Sequence, residues 1–154
     1  MAYPVVRLDK VKGNAHLVSI VCAFDLKAGQ VVKLGDLQAD GETYAALAVA
    51  DVATDKLAFV APVPLMYKEP ASEDEFVLVA GTEGRAYIPE VGDIVTITDD
   101  GISGTSVVDK VAIPVVAGNT LTIATSATTE KLVYQVIAKE TMSGKASTVL
   151  EVVK

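Results

Sequence analysis

Three times along this 154-residue chain a glycine and a polar residue lead straight into a strand-like run. The copies are Gly29-Gln30-Val31-Val32-Lys33-Leu34, Gly92-Asp93-Ile94-Val95-Thr96-Ile97 and Gly118-Asn119-Thr120-Leu121-Thr122-Ile123. Gly29, Gly92 and Gly118 can take the positive φ of a tight turn. The polar neighbour supports the turn. The valines, isoleucines and threonines that follow suit a pleated surface. The copies are unequally spaced, so they read as a recurring barrel corner and not as a solenoid repeat.

Period-two alternation and β-branched runs dominate the remainder. The pattern predicts strands over 17–24, 30–34, 44–49, 57–61, 76–81, 85–88 and 93–98. Two short strands flank a turn at Ala117-Gly118-Asn119, and strands over 131–140 and 148–154 close the chain. No stretch longer than about ten residues holds a 3.6-residue period, so little or no helix is expected. About nine or ten short strands at this spacing predict one all-β domain, an antiparallel barrel or sandwich. Residues 1–13 read as an N-terminal arm or, equally, as a terminal strand of the same barrel.

Hydrophobic residues make up 51% of the chain, aromatics only 5%, and Trp is absent. The core must therefore be aliphatic. A formal charge of −7 argues against nucleic acid, which needs Lys and Arg to neutralise phosphates, and against an anionic membrane surface. The apolar runs fall short of the roughly 20 residues that span a bilayer. The first residues lack the basic and apolar regions of a secretory signal. The single cysteine, Cys22, permits no intrachain disulfide, and the chain suits a reducing cytosol.

Little in the sequence points to catalysis. Cys22 lies in an apolar run and His16 is the only histidine. A thiol nucleophile needs a polar, accessible site and an oriented base. Ser143-Gly144-Lys145-Ala146 superficially suggests a phosphate loop, but Lys139 stands where its first glycine belongs and Ala146 where a hydroxyl should hold magnesium. The carboxylates Glu73, Asp74, Glu75, Asp99 and Asp100 lack calcium-loop spacing. Without Trp there is little aromatic surface for sugar. The expectation is a protein with no catalytic residue, no metal and no cofactor.

The phrases in order are Phe24 through Asp36, then Asp55 through Pro62, then Val79 through Thr105 with Gly92-Asp93 inside it, then Val116 through Thr122. Tyr134-Gln135-Val136-Ile137-Ala138-Lys139-Glu140 and a glycine turn follow, and a valine-rich strand closes the chain. This order resembles the capsid decoration, or head cement, proteins of tailed bacteriophages over most of residues 20–153. The resemblance implies a non-catalytic β-module, made in the host cytoplasm and carried on the virion. It would bind the outside of the assembled capsid, on the lattice of the major capsid protein, and hold it against internal pressure. It also implies a homo-oligomer, a trimer being one form. An adhesin-like or receptor-binding β-domain is the alternative reading.

Two segments are candidate capsid or subunit contacts. Arg7, Lys10 and Lys12 make the N-terminal segment locally basic on an acidic chain, suited to adding a strand to a neighbour. Leu65, Met66 and Tyr67, between prolines that resist pairing, read equally as an exposed apolar patch or as part of the core.

Overall fold

The computed structural model describes residues 3–10, 17–62 and 77–154. These hold twelve strands: β1 (Val6–Lys10), β2 (Leu17–Cys22), β3 (Val31–Leu37), β4 (Thr43–Leu47), β5 (Leu57–Val60), β6 (Glu83–Tyr87), β7 (Ile94–Thr98), β8 (Ile102–Ser103), β9 (Val111–Ile113), β10 (Leu121–Ala124), β11 (Tyr134–Met142) and β12 (Lys145–Val152). A 3-10 turn, Asp99–Gly101, joins β7 to β8, and no α-helix occurs among the described residues. The fold is all-β, as the alternation predicts.

The strands form two units. One is a closed five-stranded barrel, β2-β4-β3-β5-β6, and the other a seven-stranded sheet, β1-β7-β12-β11-β9-β10-β8. Pairing is mostly antiparallel, but β2 lies parallel to β4 and β8 parallel to β10. The purely antiparallel expectation needs that correction. Its cause is that β3 skips β2 and pairs with β4 and β5, so β4 must turn back to reach β2.

Strand β5 shows how the units join. Its Leu57-Ala58-Phe59-Val60 run is buried throughout. Ala58 and Val60 fill the barrel interior with Ile20, Leu26, Val32 and Leu34. Leu57 and Phe59 face outward into a second core with Val31, Val95, Ile97, Tyr134 and Leu150. A strand buried on both faces reads as a continuous apolar run. The Phe59 and Tyr134 rings meet there with centroids 6.1 Å apart at 51°. In the sheet, β7 is flanked by β1 on one side and β12 on the other, both antiparallel to it.

Three local expectations change. Of the strand expected over 76–81, residue 76 lies outside the described residues, and among the described ones Leu78 makes only an isolated bridge to Leu26. The chain turns at once, Gly81 N–H reaching the Cys22 carbonyl at 2.8 Å. Strand β12 starts at Lys145, straight after the Ser143-Gly144 turn, and not at 148. Gly29 (φ 85°) and Gly92 (φ 96°) take the expected positive φ, but at the third corner Ala117 (φ 61°) does so. Gly118 serves there through size: a Cβ would lie 2.7 Å from Val115 Cγ2.

The β4–β5 loop is tied by Asp55. Its Oδ2 accepts from the N–H groups of Ala50 and Asp51 at 2.8 Å each, and Lys33 Nζ lies 3.0 Å from Oδ1. The Asp51 N–H and the Lys33 ammonium hold the carboxyl below the usual carboxylate range, against the opposing effect of desolvation. A lowered folded pKa contributes stability above the unfolded value of about 3.9, and that contribution is lost as pH falls through the folded value. Asp55→Asn is therefore expected to lower the urea midpoint at pH 7 and to flatten the fall in stability below about pH 4. Parallel acid limbs for the two proteins would refute this.

Candidate functional site

The outer face of the sheet carries polar networks whose partners lie within the chain. Arg7 on β1 stands opposite Thr96 on β7. Its guanidinium donates to Glu140 Oε2 at 2.7 Å and to Thr96 Oγ1 at 3.2 Å, and it is ion-paired with Asp9. The Thr96 hydroxyl in turn donates to Asp9. Bonding to Glu140 and then to Asp9 raises the Arg7 pKa further. At the end of β7, Lys139 Nζ donates to both Asp99 oxygens at 2.8 and 2.7 Å and to Thr148 Oγ1 at 2.9 Å. Partial burial opposes ionisation of Asp99, but the bonds from Lys139 and Thr148 outweigh it and lower its pKa.

The arrangement is different where the barrel meets the sheet. Lys56 leads into β5, Lys131 precedes β11, and Lys154 follows β12. These three lysines rim a half-open groove of about 130 Å³. Its floor includes Leu57, Leu132 and Val152, all buried. Val91, on the β6–β7 connection, stands 72% exposed at its lip. The Lys154 carbonyl accepts from Val133 N–H at 3.0 Å, which fixes the chain at that end.

No family model, curated protein or solved structure matches the chain.

Arg7, Cys22 and Lys145, singled out in the sequence and described in the structure, do not line this groove. Arg7 is half-exposed, but its charge is already engaged by Asp9 and Glu140. The backbone of Lys10 pairs with Ile94, so residues 6–10 form an edge strand of the chain's own sheet. Deleting this segment would uncover β7. Lys12, Leu65, Met66, Tyr67 and His16 lie outside the described residues. Cys22 is buried within the barrel, and Lys145 follows a hairpin turn with Asp100 at 3.9 Å. Among the described residues no group of three or more His, Cys, Asp and Glu side chains is placed to hold a metal ion.

Sequence reasoning missed the groove because its lysines are scattered along the chain. One signal was available. Lys56-Leu57 and Lys131-Leu132 each set a lysine before a leucine, and both leucines are buried while both lysines are exposed.

Proposed function

We propose that the protein is a non-catalytic structural module that binds the outer surface of an assembled phage capsid and stabilises it, acting as a homo-oligomer. The order of its turn-and-strand phrases favours this reading. The observation that carries it is the core shared by the two units, in which Val31, Leu57 and Phe59 of the barrel pack with Val95, Ile97 and Leu150 of the sheet. Interiors packed in this way deform little. A load taken up by the barrel therefore passes to the sheet through packed side chains and not through a linker. Repeated attachment across a lattice turns modest contacts into high avidity.

The test is co-sedimentation of the purified chain with assembled, undecorated phage heads. The expected result is saturable binding to heads and none to free capsid subunits. Absence of binding at micromolar concentration would remove the decoration role.

A further inference from the structure

We propose that the lysine-rimmed groove is a docking site for an acidic peptide segment carrying one apolar anchor side chain, supplied by the protein lattice. For the source of the segment this rests on the head-binding reading; the groove's chemistry stands by itself.

Arg7, Lys33, Lys139 and Lys145 are ion-paired. Lys27 and Arg85 lie over the rings of Tyr3 and Tyr87. Among the described residues, Lys56, Lys131, Lys154 and Lys110 have no carboxylate within ion-pair distance. Three of these four meet at one groove. On a chain of formal charge −7, this brings three positive side chains to one groove. Glu130 is next to it in sequence and interacts electrostatically with Lys154, while its carboxylate accepts from Thr128 N–H at 2.7 Å.

Charge alone would fit any polyanion, and the floor narrows the choice. A pocket of about 130 Å³ over Leu57, Leu132 and Val152 is close in size to the roughly 150 Å³ apolar cavities that hold benzene. It suits one leucyl or phenyl side chain. The lysines would then meet carboxylates on either side of that anchor, steering approach and setting register. Nucleic acid fits less well, because the floor offers no aromatic ring on which a base could stack.

The test titrates the isotope-labelled full chain with three acetylated peptides followed by amide NMR: Asp-Glu-Leu-Glu-Asp, Asp-Glu-Ser-Glu-Asp and Lys-Lys-Leu-Lys-Lys. The first should shift the amides of Lys131, Leu132 and Val152. Loss of the leucine should weaken binding about tenfold, the effect of removing about one buried apolar side chain. The basic peptide should produce no shift. Equal responses to the leucine and serine peptides, or shifts centred elsewhere, would overturn the proposal. So would a single-stranded oligonucleotide that shifts the same amides at lower concentration.

A variant with Lys56→Glu, Lys131→Glu and Lys154→Glu changes only exposed positions. With an unchanged circular dichroism spectrum it should bind both the acidic leucine peptide and heads at least tenfold more weakly. If the wild-type chain binds heads and this variant binds equally well, the groove is not the contact, although the head-binding role stands. If the wild-type chain does not bind heads, that role falls and the peptide titration decides the groove by itself.

Discussion

Phe59→Ala is expected to destabilise the protein by about 3–5 kcal/mol, the range for removing a buried aromatic side chain. Phe59 belongs to the barrel and is 2% exposed, yet it packs in the core shared with the sheet. The loss should therefore appear in both units at once. Urea unfolding followed at amides of β3 and of β12 should give coincident transitions, shifted together by the substitution. A barrel that melts separately from the sheet would show that the shared core does not couple them. Tyr134→Ala should have a comparable effect, since Tyr134 is 1% exposed and its ring faces Phe59. A double-mutant cycle between the two should return about 0.5–1.5 kcal/mol of coupling, the range for aromatic pairs.

Ala86→Leu should be destabilising for the opposite reason. Barrel diameter grows with strand number, so five strands enclose a narrow interior. Ala46, Ala58 and Ala86 supply the small side chains, at 2%, 0% and 0% exposure. Ala86 stands opposite Val18 on β2 and Val60 on β5, at the seam where β6 closes the barrel. Three extra carbons there must displace one of those neighbours. The expected loss is at the upper end of the roughly 1–3 kcal/mol usual for overpacking. A leucine accepted without change in the denaturation midpoint would mean that the interior holds unfilled space.

Much of this architecture was legible from local pattern. The Ile94-Val95-Thr96-Ile97-Thr98 run is strand β7, with Val95 and Ile97 in the core and the two threonines bonded on its other face. Residues 57–61 read as a strand, and Leu57–Val60 is one. Other features depended on distant partners. Residues 6–10 were ambiguous between arm and strand because their partner, β7, comes far later in the chain. The run around Leu78 has strand composition but meets only the Leu26 bridge. The parallel pairing of β2 with β4 follows from which neighbour β3 chooses, and composition does not encode that choice. The groove was hidden for the same reason: its lysines become neighbours only when β5, β11 and β12 are brought together.

The placing of β7 between β1 and β12 has a mechanical consequence. Both flanking strands run antiparallel to β7 and so parallel to each other. Val6 at the start of β1 lies beside Ile97, and Glu151 near the end of β12 lies beside Ile94. Tension entering before β1 and leaving after β12 therefore pulls in opposite directions along the strand axis. The two ladders are loaded in shear, with many hydrogen bonds sharing the force, and are not peeled apart one bond at a time. The two strands nearest the ends of the chain thus grip one strand from its middle in the geometry that best resists being drawn out lengthwise.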